Sequence, residues 1–149
     1  RIVPCLVHLF GSKNLLFTDP ENIYVIYKNG TGESSEMPVN GSAKKVQIEL
    51  IFDNLSKIFL RDDCLFVFVT NHGSPTDLLL YKDWISPSEF RSKINKFQVC
   101  GQKIIVMEQC YSGSFISNLT DDQTVIMTAA NATQPSYACD TEGTYDEFV

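Results

Sequence analysis

Three short apolar runs constrain this chain more than anything else in it: CLFVFVT (64–70), KIIVMEQ (103–109) and TVIMTAA (124–130). Each has the length of a strand and is apolar almost throughout, as expected of parallel strands buried on both faces. A fourth run, IYVIY (23–27), is rich in β-formers and stops at Asn29-Gly30, a turn pair. Helix-like segments lie between these runs. From Ser42 onward Val46, Leu50, Ile51, Leu55, Ile58 and Phe59 recur at steps of one to four, which predicts an amphipathic helix capped by Ser42. SPSEFRSKINKF (86–97) predicts a second helix, with Ser86 at the cap, Pro87 at the first position and Glu89 three residues after the cap. SGSFISNL, from Ser112, opens a third. Alternation of strand and helix calls for right-handed crossovers and a mainly parallel α/β sheet flanked by helices. Residues 28–41 hold three glycines and Pro38 and read as a loop, whereas Pro4 interrupts IVPCLVHLF and leaves residues 1–22 without a clear reading.

The bulk properties exclude several classes. A chain of 149 residues, 44% hydrophobic and 20% charged, builds one globular domain with a real core. A net charge of −6 disfavours nucleic acid and anionic membrane as partners, since both need a basic footprint. No apolar run reaches the roughly 20 residues of a membrane span, and no signal-peptide pattern opens the chain. It begins at Arg1 rather than Met, so an upstream segment is expected. The five cysteines (Cys5, Cys64, Cys100, Cys110 and Cys139) include no C-x-x-C pair, so neither a zinc site nor a thioredoxin motif is expected. Cys64 and Cys100 flank strand-like runs and read as inert core thiols. Five of the nine asparagines open N-x-S/T sequons: Asn29, Asn40, Asn54, Asn118 and Asn131. They favour a secretory route, against the alternative of an Asn/Ser/Thr-rich cytosolic or bacterial protein.

The chemistry lies where the strands end. In open α/β sheets ligands bind beyond the carboxyl ends of strands. His72 and Cys110 each stand just past such an end, and each is followed by glycine or small residues. If the two strands are neighbours, a thiol and an imidazole emerge at one edge, as a Cys–His dyad requires. A helix start behind Cys110 would favour the thiolate, and Gly113 with its flanking serines would let a substrate backbone approach. The N–H groups of Gly73 and Cys110 are placed to receive the oxyanion of a tetrahedral intermediate. Against this, a histidine after an apolar strand is often a turn residue, and a lone cysteine often a core thiol. His8, the other histidine, lacks such a setting and reads as structural.

FVFVTNHGS, IIVMEQCYSGSF and TAANATQPSYAC together resemble the caspase-like cysteine peptidases, and specifically the legumain (asparaginyl endopeptidase) family. That family carries H-G-S after one strand, E-x-C-x-S-G-S after the next, then T-A-A-N and S-Y-A-C; metacaspases typically have D-x-C-x-S-G, so Glu108 points away from them. The resemblance covers roughly residues 23 to 148. It implies His72 as general acid–base and Cys110 as nucleophile. It also implies a P1 pocket lined by Glu108, Ser136 and Asp146. For these three the alternatives are a structural carboxylate, a serine bonded to the backbone of its loop, and a solvated loop residue. The family's opening central strand, with the Arg-His pair whose arginine completes the P1 pocket, has no counterpart in the residues, nor have the helices expected after Val149. Residues 28 to 41 are shorter than the family's insertion.

The expected fold is thus one partial caspase-like domain over residues 1–149, lacking the first strand and the C-terminal helices, unless N-terminal residues replace that strand. The expected function is a cysteine endopeptidase cleaving after Asn, or after a basic residue if the arginine is missing. It needs no metal or cofactor and takes a peptide or protein as substrate. The alternatives are a non-catalytic regulatory fragment and a transamidase or ligase using the same acyl-enzyme.

Overall fold

The computed structural model describes residues 6–12, 22–30 and 39–136. The apolar runs form the sheet they predict. Strand β3 (Cys64–Thr70) pairs in parallel with β6 (Gln102–Met107), from Cys64↔Gln102 to Val69↔Met107. Strand β7 (Thr124–Thr128) joins the far side of β6, also in parallel. The crossovers are helical, through α2 (Pro87–Ile94) and then α3 (Ile116–Leu119). Strand β2 (Ile23–Ile26) and helix α1 (Lys45–Ser56) precede β3. A hairpin of two three-residue strands, β4 (Leu78–Leu80) and β5 (Asp83–Ile85), follows β3; the sequence reading did not anticipate it.

The inside of the sheet holds a strand that the sequence did not reveal. The strand order is β2-β1-β3-β6-β7, with β1 (Leu6–Ser12) antiparallel to both neighbours. N-terminal residues therefore stand between β2 and β3, and the backbone groups on that side of β3 are paired along its whole length.

Burial along β3 alternates instead of being uniform. Leu65, Val67 and Val69 are sealed, together with Ile105 and Met107 of β6, against Ile48, Phe52 and Leu55 of α1, Phe90 and Ile94 of α2, and Phe115 and Leu119. The opposite face carries Phe66, Phe68 and Ile104, half-buried, and Val125 and Met127, still 47% and 44% exposed. The reason is that the buried faces of all three described helices belong to one core on one side of the sheet.

Helix α1 corrects the sequence reading twice. Its N-cap is Lys44, with no side-chain cap, and not Ser42. Its core face is Ile48, Ile51, Phe52 and Leu55, an i, i+3, i+4, i+7 set. Val46, Leu50 and Ile58, expected in the core, point outward at 73%, 51% and 66% exposure. A four-residue step drifts around a helix of 3.6 residues per turn, so both ridges looked periodic and only the packing partner chose between them. That partner is aromatic. Phe97 lies edge-on to Phe52 at 5.5 Å and to Phe59 at 5.0 Å, and is 1% exposed. Phe97→Ala is expected to cost about 3–5 kcal/mol, read as a lower urea midpoint at an unchanged m-value.

Helix α2 starts as predicted. The Ser86 hydroxyl accepts from the Glu89 N–H, and the Glu89 carboxylate accepts from the Ser86 N–H, a complete capping box with Pro87 in the first turn. Residues Asn95–Phe97 continue as a 3₁₀ turn. The Ser86 N–H, then Lys45 and the Ser86 hydroxyl, lower the Glu89 carboxyl from 4.5 to about 2. The unfolded chain therefore binds the proton first, and the contribution is present above about pH 4.5 and is lost as pH falls toward about 2. Glu89→Gln should flatten the acid limb of stability in that window. The effect should be modest and salt-sensitive, because Glu89 is half-exposed.

Candidate active site

The parallel register carries the site. Val69 stands opposite Met107 where the pairing ends, and His72 and Cys110 each follow three residues later in the chain. The two segments stay joined past the strand ends, where the Glu108 N–H donates to the Val69 carbonyl at 2.9 Å. Gly73 lies flush against the cysteine segment. A Cβ there would sit 2.2 Å from the Cys110 carbonyl oxygen and 2.7 Å from Cγ of Gln109. His72 is exposed and Cys110 half-buried. The thiol donates to the Ser136 carbonyl at 3.5 Å, and among the described residues no hydrogen bond joins it to the imidazole.

The histidine segment is held by a dense turn. The Leu79 N–H donates to the His72 carbonyl at 3.0 Å, and the Ser74 N–H to the Asp77 carbonyl at 2.8 Å. Asn71 Nδ2 donates to the Leu79 carbonyl at 2.7 Å. Gly73 and Leu78 thus form a wide pair of the antiparallel bridge, in which the Gly73 N–H points away from the turn's own bonds. Among the described backbone hydrogen bonds, neither the Gly73 N–H nor the Cys110 N–H is spent.

The cysteine segment leaves its strand through a left-handed residue. Tyr111 has φ 58° and ψ 20°, uncommon for a non-glycine residue, and its N–H is fixed by the Gln134 carbonyl at 2.9 Å. Ser112, buried, donates to the Ala130 carbonyl and accepts from the Ala130 N–H. The Gly113 N–H also reaches the Ala130 carbonyl, at 2.9 Å. The loop after β7 therefore clamps the turn that carries Cys110.

Gly113 and Ser112 also serve this clamp, where a Cβ on Gly113 would lie 2.7 Å from the Asn131 and Ala132 backbone, and one sequence expectation changes here. The helix behind Cys110 is a 3₁₀ turn (Ser112–Phe115) followed by a four-residue α3, too short to give the sulfur much dipole support.

Of the expected pocket residues, Glu108 is half-buried beside the site, and its carbonyl accepts from the Ser136 hydroxyl at 2.8 Å. Ser136 Oγ also lies 3.7 Å from the Cys110 sulfur. Ser136 thus bonds the backbone of the cysteine segment, not that of its own loop, and touches the thiol as well. Asp146 lies outside the described residues. A 540 Å³ cleft opens behind the clamp, lined by Ile116 and residues of the 128–135 loop, but by neither His72 nor Cys110.

Sequence reasoning missed Gln109, which is completely buried and packs against Gly73. A polar residue at the end of an apolar strand was the available signal. Nothing in the sequence marked Tyr111 or Ala130. Among the other described thiols, burial pushes both Cys64 and Cys100 up, away from the reactive thiolate form. Cys100 also donates to the carbonyls of Asp63 and Gln102. No described helix is long and apolar enough to cross a membrane.

A mixed five-stranded sheet whose β3, β6 and β7 run parallel, packed on helices and with the histidine and cysteine segments leaving adjacent strands, is consistent with part of a caspase-like fold. The Peptidase C13 family model matches residues 56–148, more than half of the sequence, and the chain belongs to that family. It is 33% identical over 93 residues to legumain from Mus musculus, an alignment covering 56% of this chain and 21% of that protein. The chain therefore spans about a fifth of the length of the relative it matches.

Proposed function

We propose that the chain carries the acyl-transfer centre of a cysteine endopeptidase, with Cys110 as nucleophile and His72 as general acid–base. The observation that supports this reading is the close seat of Gly73 on the cysteine segment, just past the pairing of β3 with β6, which ends three residues before each of His72 and Cys110. The thiolate attacks the peptide carbonyl, and the Gly73 and Cys110 N–H groups receive the oxyanion. His72 protonates the leaving amine, then takes a proton from the water that releases the acyl group. The substrate is a peptide or protein. Glu108 and Ser136 supply acidic and polar groups to a P1 pocket that favours Asn or a basic residue, and the family resemblance adds Asp146 to it. Four peptides differing only in P1 (Asn, Asp, Arg, Lys) test the specificity: preference for Asn, Arg or Lys is expected, and preference for Asp overturns the pocket assignment.

The contact of Ser136 with the thiol favours a second reading, a regulatory module whose cysteine is held shut. A peptidyl acyl probe discriminates. Labelling that is lost in Cys110→Ala supports the peptidase, and absence of labelling in the folded parent supports the regulatory module.

A further inference from the structure

The outward ridge of α1 has no partner within the described fold. Between Lys45 and Ser56 the exposed positions are Val46, Leu50 and Asn54, in line at four-residue steps, and Ile58 extends the line by another turn. Three large apolar side chains in such a row are costly to leave in water, and a row of this kind marks a surface that something covers. Within it stands Asn54, the first residue of the sequon Asn54-Leu55-Ser56. Asparagine is a poor helix former, so a structural reason for it would be a hydrogen bond. Among the described residues its side chain makes none. Asn40 and Asn131, also in sequons, do have such roles: Asn40 Oδ1 accepts from the Val25 N–H at 2.7 Å, and Asn131 bonds Thr133 and Gln134. All five sequon asparagines are exposed, so none is closed to modification.

We infer that Asn54 is an N-glycosylation site and that its glycan covers the apolar ridge of α1. The donor is a lipid-pyrophosphate-linked oligosaccharide. The Asn54 amide nitrogen bonds to the anomeric carbon of the first sugar, the sugar–phosphate bond breaks, the lipid pyrophosphate leaves, and the amide gives up one proton. Modification precedes folding, and the helix accommodates it because Asn54 is exposed. The apolar faces of the sugar rings lie along Leu50 and Ile58 while their hydroxyls face solvent. The C-terminal end of α1 runs toward the start of β3, whereas Cys110 lies beyond the strand ends at the opposite edge, so the glycan leaves the thiol open.

The test uses the protein purified from the cells that make it. It is treated with an amidase that releases N-glycans in ¹⁸O-water and is then mapped by mass spectrometry. The peptide holding α1 is expected to carry Asp with ¹⁸O at position 54; an unlabelled Asn54 there overturns the site. Asn54→Gln and Ser56→Ala, made separately in a secretory eukaryotic host, should each lose one glycan and bind an environment-sensitive hydrophobic dye several-fold more than the parent. Adding Leu50→Gln and Ile58→Thr should return dye binding to the parent level. Dye binding unchanged by loss of the glycan overturns the covering role. Acyl-probe labelling of Cys110 should be the same in all of these variants, so failure of the glycan proposal is distinguishable from failure of the peptidase reading.

Discussion

Cys110→Ala and His72→Ala are each expected to lower turnover of an Asn-P1 peptide by on the order of 10⁴-fold or more, with the double variant scarcely worse than either single one. The two side chains act as one unit. Without the sulfur no acyl-enzyme forms, and without the imidazole the leaving amine departs unprotonated. Loss of folding would not account for such results. His72 is exposed, and the hydrogen-bond contacts of Cys110 are a carbonyl at 3.5 Å and a hydroxyl at 3.7 Å, so each substitution should cost about 1 kcal/mol of stability or less. Circular dichroism and a urea midpoint near the parent's would establish that the fold persists. Cys110→Ala retaining turnover within about tenfold of the parent would remove Cys110 as the nucleophile.

Gly73→Ala should produce the second large effect, through space alone. Its Cβ would lie 2.2 Å from the Cys110 carbonyl oxygen, and ordinary contact begins near 3.4 Å. The histidine and cysteine segments must then part by about 1 Å, a displacement that typically costs on the order of 10²-fold when it separates reacting groups. The overpacking itself should cost about 1–3 kcal/mol. Gly101→Ala separates the two consequences. A Cβ on Gly101 would sit 2.4 Å from the Arg61 carbonyl, at the start of β6 and away from the thiol. It should destabilise by a similar amount while leaving kcat/KM per folded molecule unchanged. If Gly73→Ala melts early but turns over normally at low temperature, the close seat of Gly73 is structural only.

The elements that were legible share one property, a strong local pattern. CLFVFVT and its two successors could be little but strands, and Ser86-Pro87-Ser88-Glu89 could hardly be other than a helix start. Strand β1 was hidden because Pro4 breaks its apolar run, and what holds Leu6–Ser12 in place is pairing with β2 and β3, both distant in sequence. The hairpin β4–β5 was hidden because three residues per strand carry too little pattern to tell strand from loop. The outward ridge of α1 was misread because two four-step rows compete on one helix. The hydrophobic effect rewards only the row that finds Phe97 and the sheet.

At the candidate site, His72, Gly73 and Cys110 stood out because each follows a buried strand. Gln109, Tyr111 and Ala130 did not, because their importance is a contact with a residue elsewhere in the chain.

The sequence by itself determined which residues stand at the ends of its buried strands, since strand length and apolar content are local properties. Only the tertiary structure decided that β3 and β6 are neighbours, that Val69 faces Met107, and that the loop after β7 clamps the cysteine turn. The physical reason is that register and adjacency are set by long-range pairing and by packing on the helices, and a slip of one residue would turn every side chain of a strand to its other face.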